Sequence, residues 1–319
     1  MGSAGAQQSQ TAADAHDAPS AAARGADDAR APVSRWQQAL QVFTQSKPAV
    51  AGLAVVIFIV LFCYVGPIFY HPNETSAQLA LQSNPTGFAV APSSAHLLGV
   101  DPNGFDELGR LMVGGQNSLE ISFVAALAAV VIGVAWGAIA GFFGGWLDSL
   151  MMRVVDTLFS IPTLLLLIVL AVIYKPSIPL LILILAGTAW LVPARLIRGE
   201  TLTLRTREYV QSVKVMGGGP RRMIFRHIVP NTIGTVVVNL TFQIADTILY
   251  VAALGFLGLG VQPPETDWGS MLSMGVNYAT SGYWWLIYPV GLAIVLVVVA
   301  FNFIGDGLRD AFEVRLQGR

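Results

Sequence analysis

One apolar segment of the chain carries a regular line of polar side chains. Six polar residues recur there at intervals of three or four, namely Thr232, Thr235, Asn239, Gln243, Asp246 and Tyr250. This spacing places them on one face of a helix. Hydroxyl, amide and carboxylate groups in such a row bind a solute through hydrogen bonds and charge. An ionisable group inside a membrane span normally faces a cavity or a partner, so Asp246 predicts a polar path beside this helix.

We expect Asn239, Gln243, Asp246 and Tyr250 to line a translocation path at the interface with a second subunit. The alternative is that these groups only hydrogen-bond neighbouring helices, as polar residues commonly do in membranes. Substitution of Asp246 by Asn separates the two interpretations, because unchanged transport with intact assembly would remove that residue from the path.

A second concentration of functional side chains is a basic segment between two apolar runs. Eight Lys and Arg residues lie within 195–226. Residues 205–216 are predicted to be a helix, with Glu208 near its start, where the helix dipole favours an acid. Glycines 217–219 offer backbone at positive φ, and Pro220 suits the first turn of a following helix. Such a pair of helices fits a groove of a cytoplasmic partner; the alternative is a loop whose cations only fix the topology.

Composition sets the class of protein that must position these groups. Of 319 residues, 54% are hydrophobic and 12% are charged, whereas soluble domains average about 25% charged. A spanning helix needs about 20 apolar residues, and lipid leaves no partner for unpaired backbone groups. The chain is therefore predicted to be an all-α polytopic membrane protein with six spans, kinked where Pro162, Pro193 and Pro289 lie inside them. The predicted spans are 49–70, 119–143, 156–174, 178–197, 232–258 and 284–305.

The distribution of Lys and Arg predicts the orientation of these spans. With the amino terminus inside, sixteen basic residues lie on the cytoplasmic side and only Arg110 and Lys175 lie outside. Both termini and the segment 198–231 are therefore predicted to be cytoplasmic. The segments 71–117 and 259–283 become the two long external loops.

The chain divides into a short amino-terminal region and one transmembrane domain. Residues 1–34 contain twelve alanines among Gly, Ser, Gln and Asp, and such a segment buries too little apolar surface to fold. We therefore expect residues 1–47 to be a cytoplasmic disordered tail with an interfacial lead-in over 35–47. The transmembrane domain occupies 48–319.

Four stretches of the chain resemble one family in the correct order. The segment 205–231 is similar to the cytoplasmic coupling loop of ABC importer permeases, and its flanks resemble the dipeptide/oligopeptide branch. Residues 96–110 resemble the HxLGxDxxGxDxxxR stretch ahead of span two. Residues 254–260 resemble the FLGLG end of span five, and 263–269 resemble the family's proline-containing loop that ends in Trp-Gly. Together these stretches cover most of 96–285.

The resemblance implies a type I ABC importer permease with six transmembrane helices, located in the cell membrane of a prokaryote. It implies as partners a second homologous permease, two ABC ATPase subunits, an extracytoplasmic solute-binding protein and membrane lipid. The implied cargo is a short peptide, although relatives also move nickel, haem or other small chelates. ATP binding would close the ATPases, and the loop helices would transmit that movement to the spans as a rigid-body switch.

The resemblance also assigns roles to individual positions. Coupling to the ATPase is expected of Glu208, Tyr209, Gln211, Ser212, Gly217, Gly218, Arg222, Arg226 and Pro230. Contact with the solute-binding protein is expected of Asp101, Asp106, Arg110, Asp267 and Trp268. Several positions depart from the family pattern. Gln211 stands where the loop normally has Glu, and Val251 stands where an acidic residue normally precedes FLGLG. Phe105 and Gln116 stand where the stretch ahead of span two normally has Arg.

Several classes of chemistry are not expected of this chain. No GxxxxGK[ST] loop occurs, so we expect no enzyme activity here and place ATP and Mg²⁺ on partner subunits. The four histidines lie outside the predicted spans, so no metal or cofactor site is expected. The basic segment is short and lies beside the membrane, so lipid and a partner protein explain it better than nucleic acid does.

One different class of function remains open, a secondary transporter or channel that acts alone. It predicts inverted repeats and broken helices with ionisable groups near the middle of the membrane. Only Asp246 fits that pattern. Copurification of ATPase subunits whose ATP turnover rises with the binding protein would separate the two readings.

Overall fold

A computed structural model describes residues 35–70, 88–174 and 176–317 of this chain. These residues form helices connected by loops, and their β pairing is limited to isolated bridges of Val100 with Val90 and with Asp106. The tail predicted over 1–34 lies outside the described residues.

The first helices lead from the amino-terminal side into a long central helix, and two bent pairs follow it. They are α1 (Arg35–Gln45), α2 (Lys47–Tyr64), α3 (Gly66–Phe69), α4 (Glu107–Phe143), α5 (Gly145–Phe159), α6 (Thr163–Ile173), α7 (Ile178–Ala189) and α8 (Leu191–Leu204). The second half contains the basic loop and two more long helices. Its elements are α9 (Glu208–Val215), α10 (Pro220–Met223), a π turn (Ile224–Ile228), a 3-10 turn (Val229–Asn231), α11 (Ile233–Phe256), α12 (Trp268–Val276), 3-10 turns at Ala279–Ser281 and Trp284–Leu286, and α13 (Tyr288–Gln317).

Four segments of the described chain are long and apolar enough to cross a membrane singly. They are Lys47–Phe69, Glu107–Phe143, Ile233–Phe256 and Trp284–Phe312. The pairs α5–α6 and α7–α8 qualify only when each is taken as one bent span. The described residues therefore provide four spans, or up to six.

The two bent pairs test the predicted proline kinks. The kink predicted at Pro162 is confirmed, because α5 and α6 meet at an angle of 79° around it, although the bent pair begins at Gly145 and not at residue 156. The kink predicted near Pro193 is confirmed, since α7 and α8 differ in direction by 40°. Pro289 is the second residue of α13, where a proline removes no helical hydrogen bond, so the predicted kink there is wrong.

Several loop boundaries also need correction. α4 begins at Glu107, inside the predicted external loop 71–117, because Asp106 caps the helix by accepting a hydrogen bond from the backbone N–H of Gly109 at 2.7 Å. α8 continues to Leu204, inside the predicted cytoplasmic loop 198–231.

Two further helices differ from the prediction, one that was predicted as a loop and one that was predicted to end too early. The predicted loop 259–283 contains α12, and Asp267, the capping residue just before this helix, accepts a hydrogen bond from Ser270 N–H. α13 runs to Gln317, beyond the predicted end of its span at residue 305.

The central helix α4 packs most closely against α8. Gly133, Gly137 and Gly141 recur every fourth residue along this contact, and a Cβ atom at Gly133 would lie 2.7 Å from the carbonyl oxygen of Trp190. A Cβ at Gly141 would lie 2.8 Å from the carbonyl oxygen of Arg198. Small residues at this spacing let two helix backbones approach, which gives packing energy that lipid cannot replace. This four-residue spacing of glycines is visible in the sequence alone.

Two buried clusters join α4 to the remaining spans. The larger one contacts α2, α11, α12 and α13, and it includes Ile59, Leu119, Ile248, Trp268 and Val297. The other joins α4 to α6, α7 and α11. The bundle thus has one end formed by the basic loop and an opposite end formed by the loops that precede α4 and α13.

Candidate coupling loop and translocation face

The loop between α8 and α11 folds as two short helices joined at a glycine. α9 begins after Arg207, whose backbone is extended, and Glu208 lies in its first turn. Gly217 has φ +80°, a left-handed conformation that is costly for other residues. Pro220 is the first residue of α10, where a missing N–H removes no helical bond. The predicted helix–glycine–helix is confirmed, although its first helix is shorter than 205–216.

One side of this loop is buried against the bundle. Val210 and Ile228 are 2% and 0% exposed. Ile224 packs with Ala138 of α4 and Ile197 of α8 in a shared apolar cluster. These contacts pack the inner side of the loop against α4 and α8.

Basic side chains reinforce this attachment from within the predicted basic segment. The Arg205 guanidinium donates to the carbonyl oxygen of Gly141 at 3.0 Å, at the end of α4. Arg198 donates to both carboxylate oxygens of Asp148 at 2.5 and 2.7 Å, which joins α8 to α5. Such a two-pronged pair fixes geometry as well as charge. Arg195 is likewise paired with a carboxylate of α5.

The outer surface of the loop carries the predicted coupling residues. Gly218 is half-buried, and the other predicted coupling residues are exposed, namely Glu208, Tyr209, Gln211, Ser212, Gly217, Arg222, Arg226 and Pro230. Val215, Met216 and Phe225 are also 87%, 77% and 67% exposed. Large apolar side chains exposed among charges are typical of a protein-binding surface. The sequence reasoning missed these three, although their apolarity within a basic segment was visible.

The departure at Gln211 has a structural reason. Its side-chain amide donates a hydrogen bond to the carbonyl oxygen of Arg205 at 2.8 Å, at the end of α8. An ionised Glu has no proton to donate and could not make this contact. Gln211 therefore orients α9 relative to α8.

The polar line on α11 does not lie on one uniformly exposed face. Gln243 is buried at 6% exposure, whereas Asn239 and Tyr250 are half-buried. Asp246 is exposed on the surface of the isolated chain. An ionisable side chain in a membrane span normally faces a cavity or a partner, so the position of Asp246 agrees with the predicted path and does not test it.

At the opposite end, the predicted binding-protein contacts are buried. The carboxylate of Asp106 accepts hydrogen bonds from Gly109 N–H at 2.7 Å and from the Tyr70 hydroxyl at 2.9 Å, and it lies 3.0 Å from His96 Nδ1. Asp101 accepts from the backbone N–H of Phe105 at 2.8 Å. Burial raises the pKa of the Asp101 carboxyl, and the hydrogen bonds that it accepts oppose that rise.

The loop before α12 is held internally by a buried carboxylate and is joined to α4 by an indole. Asp267 accepts from Ser270 N–H and Val261 N–H, both at 2.9 Å. Burial raises the pKa of Asp267, and these hydrogen bonds oppose the rise. The Trp268 indole donates to the carbonyl oxygen of Leu111 in α4 at 2.9 Å.

These contacts change the interpretation of five predicted residues. Asp101, Asp106, Asp267 and Trp268 are at most 1% exposed, and Arg110 is 8% exposed with its guanidinium 4.3 Å from the ring centre of Phe105. Side chains buried inside their own chain present almost no surface to a soluble partner. The structure thus places all five inside the chain, where they support the loops, and their direct contact with a binding protein stays a prediction.

The three groups of predicted residues occupy different parts of the molecule. The coupling residues lie at the basic end, the path residues lie along α11, and the five buried residues lie at the opposite end. Within the described residues, no group of three or more His, Cys, Asp or Glu side chains is arranged to hold a metal ion.

Two family models match this chain. One, described as a binding-protein-dependent transport system inner membrane component, matches residues 133–318, which include the coupling loop and α11. The other, the N-terminal transmembrane domain of oligopeptide transport permease C, matches residues 34–85.

Relatives with assigned functions are similar over almost the whole chain. The oligopeptide transport system permease protein OppC of Bacillus subtilis (strain 168) is 36% identical over 285 residues, which cover 89% of this chain and 91% of the relative. The dipeptide transport system permease protein DppC of Alkalihalophilus pseudofirmus is 35% identical over 291 residues, covering 91% and 93%. OppC of Escherichia coli (strain K12) is 38% identical over 280 residues, covering 88% and 91%.

The structure is a helical membrane bundle with a Gly-jointed loop anchored to its long helices. The chain belongs to the family of inner-membrane components of binding-protein-dependent transport systems, as the extent of these matches shows. It is a multi-pass inner-membrane permease subunit.

Proposed function

We propose that this chain forms half of the translocation path of an ATP-driven ABC importer for short peptides. Its partners would be a second homologous permease, two ABC ATPase subunits and an extracytoplasmic solute-binding protein. The relatives described above are named as oligopeptide and dipeptide permeases, which supports this class of cargo.

The observation that carries the proposal is the two-sided construction of the coupling loop. Val210 and Ile228 bury its inner side, while Met216 and Phe225 remain exposed on its outer side. A loop that only fixed topology would need neither a buried anchor nor exposed apolar side chains outside the spans. This construction suits a lever that an ATPase subunit moves.

In this proposal the basic end faces the cytoplasm, together with both termini. Sixteen of the eighteen Lys and Arg residues then lie on the cytoplasmic side. ATP would be bound and hydrolysed only by the partner subunits, and this chain would convert their closure into a switch between inward-open and outward-open bundles.

The polar face of α11 would line the path between the two permeases. Asp246 is exposed on the isolated chain, which fits a position at such an interface. The change Asp246→Asn removes one charge with little change in volume. We expect it to slow peptide uptake while the complex still assembles; normal uptake would remove Asp246 from the path.

The binding protein would meet the exposed parts of the loops that the buried residues support. Phe88, Leu97 and Trp284 are 70%, 57% and 50% exposed at this end. These loops would receive the binding protein, with Asp106 and Asp267 holding their backbones in place.

The proposal is tested by reconstituting the chain in proteoliposomes alone and with all its partners. We expect dipeptide uptake only from the complete complex supplied with ATP and binding protein. Uptake by the chain alone would favour a secondary transporter or channel. Uptake of nickel or haem in preference to peptide by the complete complex would contradict the proposed cargo.

A further inference from the structure

A cavity of about 440 Å³ lies at the basic end of the bundle, between α8, α11 and α13. Small-molecule sites in proteins have volumes of about 300–1,000 Å³. Thr235 and Asn239, from the amino-terminal half of the α11 polar line, line this cavity. Other lining residues, among them Arg309, were not part of the predicted path. It is lined by Leu196, Gly234, Thr235, Val238, Asn239, Phe242, Arg309 and Phe312.

Two polar residues, one that lines this cavity and one that contacts a lining residue, have buried side-chain oxygens without a hydrogen-bond partner in the described part of the chain. One is Asn239 Oδ1, on a residue that lines the cavity. The other is Glu200 Oε2 on α8, whose carboxylate also interacts with the cavity residue Thr235. Most buried polar atoms in proteins are hydrogen-bonded, and leaving one without a partner is costly. A ligand that donates hydrogen bonds would satisfy both oxygens.

The remaining walls combine a cation with aromatic surface. Arg309 lines the cavity from α13. Close contacts at two glycines bring the aromatic rings to the α11–α13 junction, since a Cβ at Gly234 would lie 3.1 Å from the Phe312 ring and a Cβ at Gly305 would lie 2.8 Å from the Phe242 ring. The cavity therefore offers acceptors, a cation and apolar walls within one volume.

We propose that this cavity is an inner binding site for the zwitterionic cargo peptide, a role that rests on the proposed function and deepens it. The α-ammonium group of the peptide donates to Glu200 and to Asn239 Oδ1. The peptide carboxylate binds Arg309, and an apolar side chain contacts Phe242 or Phe312. The site lies at the end of the path where cargo leaves, so it selects for free peptide termini independently of the binding protein.

Direct binding to the complex without binding protein tests this inference. Alanyl-phenylalanine is added to the permease–ATPase complex in nanodiscs without nucleotide, and saturation-transfer NMR measures its affinity. N-acetylated and C-amidated forms of the same dipeptide are compared with it. Because one charge-assisted hydrogen bond contributes about 1.5–3 kcal/mol, we expect each blocked form to bind about tenfold more weakly or worse.

A charge cycle assigns the two ends of the peptide to their partners. Glu200→Gln is expected to weaken binding of the free dipeptide about tenfold and to leave the N-acetylated form unchanged. Arg309→Gln is expected to weaken binding of the free dipeptide about tenfold and to leave binding of the C-amidated form unchanged. Glu265→Gln, at an exposed position of the opposite end, and Arg221→Gln, on the outer surface of the loop, are the matched controls.

Two results would overturn the inference: equal binding of free and blocked dipeptides to the unaltered complex, or unchanged affinity of Glu200→Gln for the free dipeptide. The comparison of ligands needs no variant, so it stands even if a substitution prevents assembly. Normal ATP-driven uptake with no binding to the complex would remove the inner site and leave the proposed function intact. Failure of the unaltered complex, with binding protein, to import peptide would instead remove the proposed function, and the cavity role with it.

Discussion

The two ends of this permease use charged residues in opposite ways. At the basic end, Arg222 and Arg226 are exposed on a loop whose buried side is apolar. At the opposite end, Asp106 and Asp267 are fully buried and hold backbone N–H groups. Charge is available to a partner at one end, whereas at the other it shapes the chain itself. Substitutions should therefore affect assembly with partners at the first end and folding at the second.

The largest effect on folding is expected for Trp268→Ala. This side chain is 1% exposed, contacts the main core cluster and donates to Leu111, so its removal leaves a cavity and an unpaired carbonyl. We expect a loss of about 3–5 kcal/mol of stability. Thermal inactivation of the purified protein, followed by size-exclusion chromatography, measures it. Trp284→Ala, at a position 50% exposed, is the control, and equal losses for the two variants would contradict the buried role.

A smaller loss is expected for Gly137→Leu in the α4–α8 contact. A side chain there collides with the backbone of Ala194 and Arg198, and overpacking of this kind costs about 1–3 kcal/mol. Gly187→Leu introduces the same side chain at a helical glycine with no atom within 4 Å of the new Cβ. A midpoint of thermal inactivation lowered equally in both variants would show that the glycine line does not set the helix spacing.

The smallest effect is expected for Gln211→Glu, which restores the family's acidic residue. It removes the hydrogen bond to the Arg205 carbonyl, a contribution of about 1 kcal/mol, and places two acceptors together. We expect faster amide hydrogen exchange in α9 with unchanged stability of the spans. Gln41→Glu, on an exposed position of α1, controls for the added charge. Unchanged exchange in α9 would contradict the orienting role of Gln211.

The lengths of the apolar segments predicted where the helices lie in the sequence better than they predicted the angles between consecutive helices. The span over 232–258 matches α11 closely, because a long apolar helix carries its limits in composition. The 79° turn between α5 and α6 could not be predicted in the same way. Pro162 indicated a break, but the angle depends on packing against other helices.

The candidate site shows a similar division. The glycine at 217 and the exposure of the coupling residues followed from local spacing and turn chemistry. The burial of Asp101, Asp106 and Asp267 could not, since it depends on contacts between distant segments. Glu200 was missed for the same reason, because nothing in its own segment indicates that it meets the cavity residue Thr235 of α11.

The central claim is that the loop transmits the ATPase movement to the spans. The most direct test is the rate of ATP-driven dipeptide uptake by proteoliposomes that contain the complete complex with Val215→Asp and Met216→Asp together. Both positions are highly exposed, so each change should alter stability by no more than about 0.5 kcal/mol. We predict loss of uptake, together with loss of the ATP hydrolysis that the binding protein stimulates. Uptake at the normal rate by a correctly folded double variant would contradict the account.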